Sequence, residues 1–204
     1  MYKENGFKKK EDAERLIAEL TAEPAGPVTV TGIEKKKENK NAPLLYNLAE
    51  LQNDCSKYFK ISPDETLRIV QELYEKKMTT YPRTDARVLS TAVAKEIQKN
   101  IGGLRSYALA TPFAKEVLEQ GTYKNIAKTR YVNDKQITDH YAIIPTGQGL
   151  NNLAGLAPTA AKVYEVIVRR FLSIFYPPAV YQKFSLTVKV KEENFFASFK
   201  VLAQ

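Results

Sequence analysis

The 204-residue sequence has no tryptophan, one cysteine, one histidine and two methionines. A single cysteine, Cys55, cannot close an internal disulfide, so the fold does not rest on oxidative cross-links and suits a reducing compartment. One histidine, His140, excludes chemistry that needs paired histidines, and with only one cysteine beside it no dedicated zinc cluster is available. No apolar run approaches the roughly 20 residues that span a bilayer. The best candidate, Val163 to Phe175, is interrupted by Arg169 and Arg170. The N-terminal stretch is charged and lacks a signal-peptide core. These absences predict a soluble cytoplasmic protein without a membrane partner, long enough for one large domain or two small ones.

What is present is positive charge and tyrosine. The formal net charge is +8, from 31 Lys and Arg against 23 Asp and Glu. Between Lys76 and Lys135 twelve basic residues face five acidic ones, so this segment carries +7 of the total. Tyr74, Tyr81, Tyr107, Tyr123, Tyr131 and Tyr141 lie in or beside it. Cations for phosphates and rings for stacking suit a nucleic-acid surface. A solvated basic face has the same composition, so charge alone leaves both open.

Periodicity predicts a helix over 12–21, a strand over 28–33, and a charged linker over 34–40. A helix is expected from Leu44 to about Tyr58. Ser62, Pro63 and Glu65 form a helix start signal: an N-cap serine, proline at the first position and glutamate three residues after the cap. That helix runs to about Lys77. Ser90 and Thr111-Pro112 open two more, stopped by Gly102-Gly103 and Gly121, and Pro158 opens a long one closed by Pro177-Pro178. The tail alternates over 184–190 and 195–201 around a turn, the pattern of a hairpin. The fold class expected is α+β: a helical domain inserted between strand-forming segments of a small β-rich domain.

Met78 to Asp85 (MTTYPRTD) carries the most suggestive chemistry. Pro82 pushes Tyr81 toward extended backbone, where residues two apart share a side, so Tyr81, Arg83 and Asp85 fit one face. A phenol, ordinarily titrating near ~10, is both an oxygen nucleophile and a tolerable leaving group, which suits reversible attack on a phosphodiester. Arg83 can clamp a nonbridging oxygen and Asp85 can hold Arg83. The same run also reads as a stacking tyrosine beside a surface Arg–Asp pair. In the second segment, 137–146 (ITDHYAIIPT), His140 next to Asp139 reads either as structural or as a donor to phosphate near neutral pH. Lys77 and Arg87, basic residues bracketing the tyrosine, are expected to contact DNA.

Taken together these motifs resemble the type IA DNA topoisomerases, and more closely the topoisomerase III subgroup. Leu73-Tyr74-Glu75 with 80–85 (TYPRTD) resembles the family's tyrosine signature, and 138–146 resembles its second signature. Residues 42–52 (APLLYNLAELQ) resemble the entry to the tyrosine-bearing helical domain, and 171–179 its exit into a β-rich arch. The resemblance implies domains at 1–40 (N-terminal arch), 41–176 (helical, with the tyrosine) and 177–204 (C-terminal arch). It implies that Tyr81 becomes joined to the 5′ phosphate of a cut strand, that Arg83 clamps the phosphate, and that His140 supports the site with Asp85 and Asp139. Ala86 departs from the family, which usually has serine there. The family's Mg²⁺ site lies in an acidic domain with an Asp-x-Asp-x-Glu pattern, which is not found in these residues. The expectation is therefore a fragment whose partners are single-stranded DNA and the missing acidic domain. Such a fragment would hold no metal itself and would not relax supercoils alone.

A tyrosine recombinase would want further arginines around its histidine, and Ile143 stands where one is needed. Replication-initiator nucleases want two histidines. The remaining alternative from another class is a noncatalytic helical module that binds single-stranded DNA, with Tyr81 merely stacking. A protein–protein module, whose binding would ignore salt, is the third.

Overall fold

The computed structural model describes residues 6–22 and 26–203. They form helices α1 (Lys10–Thr21), α2 (Leu48–Phe59), α3 (Pro63–Glu75), α4 (Thr91–Gly103), α5 (Thr111–Gln120) and α6 (Pro158–Ser173), and strands β1 (Val28–Lys40), β2 (Ala179–Val190) and β3 (Glu193–Leu202). The chain divides into two units. One comprises the residues up to Lys40 with those from Pro178 onward, the other Asn41–Pro177. The α+β class, with helices inserted between strand-forming ends, is as the sequence pattern predicted. No helix among the described residues is long and apolar enough to cross a membrane.

In the strand-bearing unit β2 is central, antiparallel to β1 and to β3. Strand β1 is longer than its periodicity suggested, because Glu34 to Lys40 continues the ladder with 179–185 instead of forming a linker. Backbone pairing along the whole length of β2 overrides the poor strand propensity of that charged run. A bulge between Val30 and Gly32 also corrects the simple alternation. It shifts the pleat by one residue, so Val28, Val30 and Ile33 all oppose even-numbered residues of β2 (Val190, Val188 and Leu186) on one face. Phe184 and Phe199 stack across the strands on that face, centroids 5.0 Å apart.

The helical unit holds every buried hydrophobic side chain among the described residues, from Leu45 to Phe175. Its helices begin where their caps dictate. Ser62 accepts from the Glu65 amide with Pro63 in the first turn, and Ser90 accepts from the Val93 amide. Helix α2 starts at Leu48 and not at Leu44. Asn47 caps it by accepting from the Glu50 amide. The preceding residues are extended because their backbone serves other segments: Leu45 N donates to Arg87 O (3.1 Å) and Tyr46 O accepts from Ile143 N (2.8 Å). Cys55 is fully buried in this unit, and desolvation lifts its thiol from 9.0 to about 11, which leaves it protonated and unreactive.

A nearly buried ionic cluster fixes α6 against α2 and the 44–46 segment. Arg170 donates to Leu44 O (2.9 Å), to the Tyr46 hydroxyl (3.0 Å) and to Asp54 Oδ2 (2.8 Å), and it lies 4.1 Å over the Tyr46 ring. The Tyr46 hydroxyl donates to the same carboxylate at 2.5 Å, and burial raises this phenol far above its ordinary range. The Arg170 and Asp54 side chains are only 13% and 18% exposed, so removing one strands the other in a poorly hydrated setting. Arg170→Ala is expected to lower the free energy of unfolding by about 3 kcal/mol in urea denaturation. A loss below about 1 kcal/mol would contradict this role.

Candidate active site

The site is built where the end of α3 meets two extended segments. Helix α3 closes with a Schellman motif: Met78 N donates to Leu73 O (2.9 Å) and Lys77 N to Tyr74 O (2.8 Å), with Lys77 in the left-handed conformation at φ 61°. This reversal sends the chain from the helix into the run that carries Tyr81. Gly149 closes over the turn, and a Cβ there would lie 2.2 Å from Lys76 O, so no side chain fits.

The run from Tyr81 to Val88 alternates in burial. Pro82, Thr84, Ala86 and Val88 are buried, Arg83 and Asp85 are exposed, and Tyr81 and Arg87 are half-buried. Tyr81, Arg83 and Asp85 are therefore the less buried members of this run. Among the described residues no ion pair joins Arg83 to Asp85. Asp85 is instead held through its backbone oxygen, which accepts from Asn47 Nδ2 at 3.1 Å. Arg87 is drawn inward: its Nε donates to Leu45 O (3.2 Å) and its guanidinium pairs with Glu50 (3.3 Å).

The second segment lies alongside through hydroxyl-mediated bonds. Thr80 Oγ1 donates to Ala142 O (3.0 Å) and accepts from Ile144 N (2.9 Å). Thr84 Oγ1 donates to His140 O (3.0 Å) and accepts from Ala86 N (3.1 Å). Thr146 Oγ1 donates to Lys77 O at 2.5 Å, and backbone bonds join Thr80 N to Ile144 O and Thr146 N to Met78 O, each 3.0 Å. The result is that the His140 ring lies against Tyr81, centroids 4.3 Å apart and tilted by 38°. Tyr74, from the last turn of α3, meets Tyr81 edge-on at 5.5 Å. Asp139 is exposed beside His140.

An open cleft of about 480 Å³ adjoins these rings, bordered by Tyr74, Lys77, Thr79, Tyr81, His140 and Tyr141 among others. Burial raises the Tyr141 phenol above its ordinary 10.0. Among the described residues no three His, Cys, Asp or Glu side chains gather as a metal-binding cluster. The structure thus brings Tyr81, Arg83, His140, Asp85, Asp139 and Lys77 to one region and gives Arg87 internal partners. Sequence reading missed the threonines that join the two motifs and the edge contact of Tyr74. The density of threonine in 78–85 was the available signal.

Tyr81, half-buried, thus stands beside the exposed Arg83 and packs against the chain's only histidine, His140. The sequence model of the DNA topoisomerase family matches residues 1–204, and the chain belongs to that family. Among its relatives, DNA topoisomerase 3 of Bacillus cereus (strain ATCC 14579) is 36% identical over 196 residues, covering 95% of this chain and 26% of the relative. DNA topoisomerase 3 of Bacillus subtilis (strain 168) is 34% identical over 189 residues, covering 92% and 25%. The chain thus spans about a quarter of the length of the curated relatives it matches. A crystal structure of full-length topoisomerase I from Thermotoga maritima has a similar fold, with TM-score 0.62 at 19% identity over 99% of this chain and 31% of that one. The family resemblance seen in the two motifs is borne out, and the relatives carry the name of the subgroup they resemble.

The left-handed position of Lys77 yields a prediction. A residue with a Cβ is strained there by about 1–2 kcal/mol, offset in part by glycine's greater freedom when unfolded. Lys77→Gly is expected to raise the unfolding free energy by roughly 0.5–1 kcal/mol in a urea titration. Destabilisation of similar size would show that the lysine side chain, and not its backbone, holds the turn.

Proposed function

We propose that this chain supplies the nucleophilic tyrosine of a type IA topoisomerase, working as part of a longer polypeptide that cuts and rejoins one DNA strand. The observation that carries the reading is the setting of Tyr81: half-buried, next but one to the exposed Arg83, and flanked by His140. Tyr81 Oη attacks the phosphorus of a phosphodiester and loses its proton. The P–O3′ bond breaks, and the 3′ oxygen leaves with a proton as a free hydroxyl. One phosphoester replaces another, so the bond energy is kept and the reverse attack reseals the strand without ATP. While the strand is open another passes through, and negative supercoils relax.

Arg83 offsets the charge that builds on the nonbridging oxygens, and its planar fork suits two of them at once. The packing of His140 on Tyr81 orients both rings, leaving an imidazole N–H to donate to phosphate. Asp85 and Asp139 flank these groups as supporting residues. Lys77, exposed at the mouth of the cleft, neutralises a neighbouring phosphate of single-stranded DNA. Arg87 contributes to DNA binding only through its field, given its partners Leu45 and Glu50. Mg²⁺, which the family resemblance implies, belongs to acidic residues outside this chain, and none of these steps passes through it. The reaction is one of the cytoplasm, where chromosomal DNA of bacterial relatives resides.

The test uses the full-length parent and a single-stranded oligonucleotide labelled at its 3′ end, quenched with detergent. Label should remain with the protein, and Tyr81→Phe should abolish it. An adduct that survives this change would refute the assignment and leave a stacking role. The 204 residues alone should bind single-stranded DNA with steep salt dependence and fail to relax plasmid in Mg²⁺. Relaxation by them alone would refute the dependence on a longer polypeptide.

A further inference from the structure

The cleft beside Tyr81 has features that the attack on phosphorus does not use. Its walls include the rings of Tyr74 and Tyr141 as well as those of Tyr81 and His140. Tyr74 is 39% exposed despite its place in the aromatic cluster, a large ring left facing solvent. Lys77 sets a cation at the rim, and Gln148 adds an exposed amide able both to donate and to accept. Thr79 borders the same space and is 1% exposed. Arg83 is not among the residues that border the cleft, so the phosphate clamp and the cleft are separate parts of the surface.

We propose that this cleft is a base-binding subsite, which takes the unstacked nucleobase of a nucleotide flanking the phosphate attacked by Tyr81. The inference rests on the reading of Tyr81 as the nucleophile and adds the group that the strand presents beside it. A base has a π-face for Tyr74 or Tyr141 and an edge with donors and acceptors for the exposed amide of Gln148. Its own phosphate lies within reach of the rim, where Lys77 stands. Volume agrees, since about 480 Å³ holds a base with its sugar, whereas a bare phosphate would leave most of the aromatic surface without contact. Seating one base here fixes the register of the strand, so the phosphorus is presented to Tyr81 and does not slide past it.

The experiment is photochemical cross-linking of the 204-residue chain to an oligonucleotide of 5-iodouracil, read by mass spectrometry of the adducted peptides. Adducts are expected on Tyr74 or Tyr141. Their yield should fall about tenfold in Lys77→Glu. Gln148→Ala, at an exposed side chain bordering the cleft, should reduce it several-fold. An abasic oligonucleotide of equal length, with the same phosphates and no bases, should compete poorly for these adducts while still displacing DNA from the basic surface. Adducts confined to other residues, with Tyr74 and Tyr141 unmodified, would overturn the base subsite and leave the nucleophile reading standing. Equal competition by the abasic strand would also overturn it. Absence of any salt-sensitive binding would also overturn the base subsite, while the adduct test on the full-length parent decides the nucleophile reading separately.

Discussion

Two hydroxyls, those of Thr80 and Thr84, join chain segments about sixty residues apart in sequence, and the geometry around Tyr81 depends on them. Each is used twice. One lone pair accepts a backbone amide and the proton goes to a carbonyl, so Thr80 bridges Ala142 and Ile144 while Thr84 bridges His140 and Ala86. Thr84 is 7% exposed, and water is a poor substitute for either of its partners. Loss of a hydroxyl of this kind leaves buried amide and carbonyl groups unpaired, at about 1–3 kcal/mol each. A hydroxyl both donates and accepts in a small space, and threonine supplies one at 80, 84 and 146.

From this constraint the rest follows in order. The Schellman turn at Lys77 fixes where the chain leaves α3, and the threonines fix its course against the second segment. Pro82 and the buried even-numbered positions then turn the odd-numbered side chains outward. His140 comes to rest on Tyr81 because its own backbone oxygen is held by Thr84. The scaffold that carries these segments is itself tied by Arg170, whose hydrogen bonds reach Leu44, Tyr46 and Asp54 at once. Charge that looked uniformly available in the sequence is therefore divided between two tasks. Arg87 and Arg170 hold the protein together, while Lys77 and Arg83 remain open to solvent.

What could be read from the sequence was what is encoded locally. Ser62-Pro63 with Glu65, Ser90, Gly121 and Pro158 each announce a helix boundary through backbone groups within a few residues, and the structure has those boundaries. The shared side of Tyr81, Arg83 and Asp85 was legible because Pro82 biases the residue before it away from helix. Contacts made at long range were not legible. The extended course of 44–47 depends on Arg87 and Ile143, the strand at 34–40 depends on β2, and the bulge at Thr31 depends on the register of the same partner. Nothing in the periodicity around Tyr74 indicates that its ring meets Tyr81, since the turn at Lys77 has to be known first. The motif residues were legible through family resemblance, and the hydroxyl bonds that give them their geometry were not.

The solitary histidine makes the dependence of the site on its threonines directly measurable, because the proton spectrum of this chain holds one imidazole and needs no assignment. With the Tyr81 ring 4.3 Å away, the His140 ring protons should resonate upfield of their free positions. In Thr84→Val the hydroxyl that holds His140 O is gone, and those resonances should move back toward free values while the core methyl signals stay dispersed. If the His140 signals keep their shifts in Thr84→Val, the threonine bonds do not set the geometry around Tyr81.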